Sequence, residues 1–194
     1  MSNSVLPFPR SETYSDRGVV TMNDTAYSHL EGMIVTVPDT IHNTLRETKL
    51  RVVKNDSGAA ITVGRKMMAF STTSVGDIGG RVSGIADTAG QVAKPLDDAY
   101  IGKLTSIPDN DLFYVGEAGL FDCLSTTTGV DDSIRGVPVS VAGNAKIGGA
   151  AANHHAFGWA QEPVTTAAST GVVVLVQAGL GAVAGASGSE VGIS

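Results

Sequence analysis

The stretch KLRVVKNDSGAAITVGRKMMAF, residues 49–70, decides the class of fold. Apolar and β-branched residues flank Asn55-Asp56-Ser57-Gly58. Asn and Asp side chains bond their own backbone there, and Gly tolerates the positive φ that a tight turn needs. The pattern predicts two strands, with residues 50–70 forming a hairpin across the turn. Upstream, MIVTV at 33–37 is a third strand candidate. It runs into Pro38, which has no N–H to give to a central ladder. Residues 39–49, DTIHNTLRETK, stay open between two readings. Ile41 and Leu45 fall at helical spacing behind Asp39 as a cap, and the same residues also fit an extended connection.

Working toward the C-terminus, turn clusters recur about every ten residues, at 76–80, 87–90, 108–111, 116–119, 128–132 and 143–149. Short apolar runs lie between them, at 81–86, 99–105, 112–115, 120–124, 137–141 and 171–177, and residues 95–100 suit one helical turn. No stretch of twelve residues sustains a 3.6-residue period. Short strands at this spacing predict an all-β fold, a single small β-barrel or sandwich domain over residues 31–180. A Gly-rich C-terminal tail, 181–194, follows it.

Residues 1–30 read differently. Pro7 and Pro9 hold the chain around Phe8 extended, and the apolar residues beyond are isolated. The expectation is an extended N-terminal arm that docks on a partner. Phe8, Tyr14 and Tyr27 are its largest burying side chains, and Arg10 and Arg17 its charged contacts. Deleting residues 2–27 is then expected to leave folding intact and to weaken docking.

Composition narrows the function classes. Only 16% of the 194 residues are charged, below the usual quarter or so, while 42% are hydrophobic and Gly numbers 24. That apolar content opposes wholesale disorder, and the low charge opposes a coiled coil. Residues 1–66 carry eight Lys/Arg against seven Asp/Glu, and residues 67–194 carry five against twelve. An acidic main body without a basic run predicts no nucleic-acid partner. Residues 172–186 are too short and Gly-rich for a membrane helix, and the polar start lacks the apolar core of a signal peptide. The expectation is a soluble protein made in a reducing cytoplasm, with Cys123 a buried structural thiol.

Motif by motif, catalytic and ligand chemistry finds little purchase. Gly179-Leu-Gly181-Ala-Val-Ala-Gly185 follows a strand as a dinucleotide loop would, but too few residues follow for the helix and acidic ribose partner that site needs. His154 and His155 are adjacent, so on a strand they point to opposite faces, and His29 and His42 have no metal-ligand spacing. Asp97-Asp98, Asp109/Asp111 and Asp131-Asp132 lie in turn-rich stretches, where Asp serves the backbone. The segment 143–149 lacks the Gly-Lys-Ser/Thr ending of a phosphate loop. No catalytic residue, cofactor or metal is expected.

The order of four segments carries a resemblance. RVVKNDSGAAITVGRKMMAFS (51–71) is followed by GGRVSGIADTAGQVAKPLDDAYIGKL (79–104), IPDNDLFYVGEAGLFDCLS (107–125) and GVVVLVQAGL (171–180). This series resembles the capsid decoration (cement) proteins of tailed bacteriophages over residues 50–180, about two-thirds of the chain. The resemblance implies a non-enzymatic virion protein on the outer surface of an icosahedral capsid. Such a protein is made in the host cytoplasm and clamps adjacent capsomers, with the major capsid protein and further copies of itself, as a homotrimer, for partners. A tail or fibre-associated binding module shares the same strand-and-turn grammar and is the alternative. His154, His155 and Trp159 have no counterpart in the resemblance.

Overall fold

Strand pairing accounts for nearly all the regular structure in the computed structural model, which describes residues 6–14, 28–42, 44, 46–71, 80–125, 138–149, 156–161 and 171–177. In chain order the strands are β1 (Ile34–Pro38), β2 (Glu47–Asn55), β3 (Ile61–Thr62), β4 (Met67–Phe70), β5 (Arg81–Ile85) and β6 (Ala93–Pro95). They continue with β7 (Ser106–Ile107), β8 (Leu112–Leu124), β9 (Pro138–Gly143), β10 (Lys146–Gly149), β11 (Gly158–Ala160) and β12 (Gly171–Val176). Helical geometry among the described residues is confined to single 3-10 turns at Ser28–Leu30 and Asp98–Tyr100. The all-β expectation holds.

Ten strands form one curled sheet in the order β10-β9-β11-β12-β8-β2-β5-β4-β6, with β1 attached to β2, and β3 and β7 pair separately. β8 occupies one edge of β2 from Lys49 to Lys54, so β1 and β5 share the other: β1 takes residues 47–51 and β5 runs parallel at 54–55. Both ends of the sheet return to β8. Leu96, just past β6, bridges Val115, and Ile147 of β10 bridges Ser125 at the end of β8. The sheet thus closes over β8 through two isolated bridges rather than through a continuous ladder.

The burial pattern follows this closure. β2 alternates from Glu47 to Leu50 and is then buried on both faces through Val52, Val53, Lys54 and Asn55. β8 is buried without interruption from Leu112 to Glu117 and then half-buried with Phe121 and Cys123 turned inward. Continuous burial marks the residues that have chain on both sides.

Two local expectations are corrected. The predicted hairpin over residues 50–70 does not form, because Asn55 ties the turn to a different part of the chain. Its side-chain amide donates to the carbonyls of Ala59, Ile107 and Pro108, and Gly58 N–H donates to Asp109. The chain leaving the turn is thereby carried to β7, and β3 pairs there instead of with β2. The predicted turn at 116–119 is the middle of β8. A Cβ on Gly116 would lie 2.5 Å from the Phe121 ring, and Gly119, at φ +123°, sits against Thr48 where the β2–β8 register shifts. These glycines let a 13-residue strand bend and pass from β2 to β12 without breaking. Residues 99–105, expected as a strand, are a 3-10 turn and a loop, whereas 39–42 is a turn capped by Asp39.

The free-arm expectation is corrected where residues 6–14 are described. Phe8 is 1% exposed within the main core, stacked on Tyr114 at 4.3 Å and edge-on to Tyr14 at 5.7 Å. Tyr114 Oη donates to the Phe8 carbonyl, Tyr100 Oη donates to that of Glu12, and Tyr14 N–H donates to that of Leu112. The segment is not extended throughout: it bends at Pro7 and Phe8 and turns at Pro9–Glu12, where Glu12 N–H donates to the Pro9 carbonyl, and it lies as a strap on its own domain. Residues 15–27, including Arg17 and Tyr27, and the tail 181–194 lie outside the described residues.

A cross-strand ion trio spans the closure. Arg51 of β2 donates to Glu117 of β8 at 2.8 Å, and Lys94 of β6 lies 3.8 Å from the same carboxylate. Burial works to raise the pKa of Glu117, but the Arg51 hydrogen bond and the charges of Lys94 and Arg51 outweigh it and hold it below the ordinary value. A depressed carboxylate contributes stability that is present above its unfolded pKa and lost as pH falls through the folded one. Glu117→Gln is therefore expected to cost about 1–2 kcal/mol at pH 7 and to flatten the loss of stability on acidification below about pH 4.5. Urea unfolding of both proteins across that range measures it.

Candidate functional site

Three separate segments bring His42 together with three carboxylates. Pro38 ends β1, and Asp39 folds the next residues around its side chain. Asp39 Oδ1 accepts from the backbone N–H of Ile41 at 3.2 Å and of His42 at 3.0 Å, while Oδ2 accepts from the Thr44 hydroxyl at 2.9 Å. This turn presents the imidazole, whose Nδ1 lies 3.3 Å from Asp39 Oδ1. Burial opposes ionisation of Asp39, but these hydrogen bonds and the nearby histidine hold its pKa below the usual value. An ionised carboxylate only accepts, so the Nδ1 proton points at Asp39.

The opposite ring nitrogen then faces two more carboxylates. His42 Nε2 lies 3.5 Å from Asp122 Oδ1 on β8 and 3.8 Å from Asp98 Oδ2 in the 3-10 turn after β6. Asp98 Oδ2 also accepts from the Asp122 N–H at 2.9 Å, and Asp122 Oδ2 accepts from Arg65 Nε at 3.2 Å. His42 Nε2 and Asp98 Oδ1 are buried with no hydrogen-bond partner. Burial pushes the Asp98 pKa up to about 7, and the charges of Asp122 and Asp97 add to it. Donor atoms of His42, Asp98 and Asp122 all lie within 4.8 Å of one another.

Beside this cluster the strap is pinned by a second carboxylate. Arg10 Nε and Nη2 each donate to Asp97 Oδ1, at 3.0 and 2.7 Å, and Nε donates to Oδ2 at 2.7 Å. The Asp97 side chain is fully buried and also accepts from Ala99 N–H. Asp97-Asp98, expected to be ordinary turn residues, do bond backbone N–H groups, but both are buried, Asp97 holds Arg10, and Asp98 faces His42.

The expected partner-binding residues are thus placed within the chain where they are described. Phe8 and Arg10 meet Tyr114 and Asp97, and Tyr14 meets Phe8, within the chain. Cys123 is buried, and burial raises its thiol pKa well above the ordinary value, as expected of a structural thiol. Asp109 and Asp111 serve the backbone of Gly58 and Leu112. His154, His155, Asp131, Asp132 and the glycines 179–185 lie outside the described residues. No protein-family model, curated protein or solved structure matches the chain.

The sequence reading missed His42, Asp98 and Asp122 as a group. They stand 56 and 24 residues apart, and only closure of the sheet on β8 brings them together. The one local signal was Asp39 behind Pro38, which positions the ring but does not reveal what the ring faces.

Proposed function

We propose that the chain is a capsid decoration protein of a tailed bacteriophage, a non-enzymatic clamp on the outer surface of the head. It works as a homotrimer and joins adjacent subunits of the major capsid protein. The observation that carries this reading is the return of both sheet ends to β8, with the strap of residues 6–14 pinned across by Arg10 and Asp97. A clamp on a pressurised shell needs slow unfolding more than it needs reactive groups. Pairing between segments distant in sequence, as of β2 with β8 or β12 with β8, gives slow folding and makes local release difficult. The strand-and-turn order over residues 50–180 supports the same reading.

Ala156 and Phe157 are buried within the chain and offer no surface to a neighbouring subunit. Trimerisation therefore rests on the resemblance. Quantitative mass spectrometry of purified heads and separated tails tests the proposal, with light scattering of the isolated protein. Many copies on heads and a trimeric mass are the expected results. Location on tails transfers the chain to the tail-associated binding class, and absence from particles overturns the virion reading.

A further inference from the structure

We infer that His42, Asp98 and Asp122 form a binding site for one divalent transition-metal ion, Zn²⁺ foremost. The ion ties the β1–β2 connection and the Asp98–Tyr100 turn to β8. This inference is independent of the capsid proposal.

Spacing is the first argument. Zinc takes imidazole nitrogen and carboxylate oxygen at roughly 2.0–2.2 Å in tetrahedral array, so its ligands stand roughly 3.3–3.6 Å from one another. His42 Nε2 stands 3.5 Å from Asp122 Oδ1 and 3.8 Å from Asp98 Oδ2, too far for good hydrogen bonds and close to that ligand spacing. Orientation is the second. With the Nδ1 proton on Asp39, the Nε2 lone pair points toward two carboxylates that are themselves acceptors. Three acceptors turned on one point repel unless a proton or a metal cation lies between them. The carboxylate–histidine arrangement of Asp39 and His42 is the one that metal-bound histidines use to fix tautomer and basicity.

The orphaned atoms point the same way. Asp98 has a side chain only 3% exposed, and its Oδ1 has no partner. A buried acceptor without a donor costs about 1–3 kcal/mol, a cost that a bound cation offsets. Charge also closes: two carboxylates neutralise a dication, while Arg65 on Asp122 balances Asp39 behind the histidine.

The donor set selects the ion. Calcium and magnesium want oxygen alone and more of it, whereas imidazole with carboxylates suits Zn²⁺, and Mn²⁺ more weakly. Cys123 does not join, because neighbours on a strand point to opposite faces and its thiol lies in the core. Three protein donors leave the fourth tetrahedral position to solvent, reached past Asp122, whose side chain is 24% exposed.

The full-length chain, stripped with a chelator, is titrated calorimetrically with Zn²⁺ and, separately, with Co²⁺ while visible absorption is recorded. One Zn²⁺ per chain is expected to bind and, at a hundredfold excess over its Kd, to raise Tm by about 5–10 °C. Co²⁺ is expected to show the intense visible bands of a tetrahedral site, without thiolate charge-transfer absorption. Asp39→Asn is expected to weaken Zn²⁺ binding about 10–100-fold, and His42→Gln to weaken it further. A His154→Gln, His155→Gln variant is expected to bind like the parent. Absence of stoichiometric Zn²⁺ binding, a weak octahedral Co²⁺ spectrum, or binding lost in the His154/His155 variant and kept in His42→Gln would each overturn the inference. The Co²⁺ spectrum of the unmodified chain decides the matter even where a variant fails to fold.

Discussion

Phe8→Ala is expected to destabilise the protein by about 3–5 kcal/mol, the range for emptying a buried aromatic site. The ring is 1% exposed, stacked on Tyr114 and met edge-on by Tyr14, and such ring pairs add to the area they bury. The alanine variant keeps the Phe8 carbonyl that accepts from Tyr114 Oη, so the change isolates the ring from the hydrogen bond. In a chain of this size the loss corresponds to a fall in Tm of about 6–20 °C. Urea unfolding at an unchanged m value measures it. An exposed side chain on a free arm would change stability by no more than about 0.5 kcal/mol. A result of that small size would return residues 6–14 to the role of a docking arm. It would also revive the expectation that residues 2–27 are dispensable for folding.

Phe8 also shows where sequence reading succeeds and where it stops. The segment around Phe8 was expected to be extended because Pro fixes its own φ and restricts its predecessor, but it bends at Pro7–Phe8 and turns at Pro9–Glu12. Its destination was not legible, since a single apolar residue among polar ones has no periodicity to report a partner. The strands at 81–85 and 171–176, and the two halves of β8 at 112–115 and 120–124, were readable for the opposite reason, each carrying apolar residues at more than one position. The hairpin over 50–70 failed although its turn residues were read correctly. Asn55 and Gly58 spend their polar groups on Ile107, Pro108 and Asp109, and only tertiary structure brings those within reach. Gly116 and Gly119 looked like a turn because local sequence does not distinguish a glycine needed for φ from one needed for a neighbour's ring. The His42 cluster lay beyond reach on the same principle: Asp98 and Asp122 sit in unrelated local contexts, and their burial is a property of the closed sheet.

Arg10→Met is expected to cost about 3–5 kcal/mol at neutral pH, the penalty for leaving a buried charge without its partner. Methionine keeps most of the aliphatic stem, so packing changes little and the loss reports the guanidinium. Within the pair, burial opposes the charge on each group, yet the hydrogen bonds and charge of Asp97 hold the Arg10 pKa above its ordinary value. Three contacts of 2.7–3.0 Å describe an ionised fork on a carboxylate. Burial is also the largest influence on Asp97 and works to raise its pKa, so removing Arg10 removes the main force against protonation. A carboxyl whose folded pKa lies above its unfolded value takes up a proton on folding, and its destabilising effect grows as pH rises through that interval. The deficit of Arg10→Met is therefore expected to shrink on acidification toward about pH 4–5 and to be largest above neutrality. Adding Asp97→Leu removes the stranded charge. The double variant is expected to recover most of the loss, short of about 1 kcal/mol for the backbone bond that Asp97 accepts from Ala99. A double-mutant cycle by urea unfolding at two pH values reads the coupling directly. A coupling near zero at both would mean that Arg10 does not pin the strap, and residues 6–14 would then be held by Phe8 and the tyrosine hydroxyls alone.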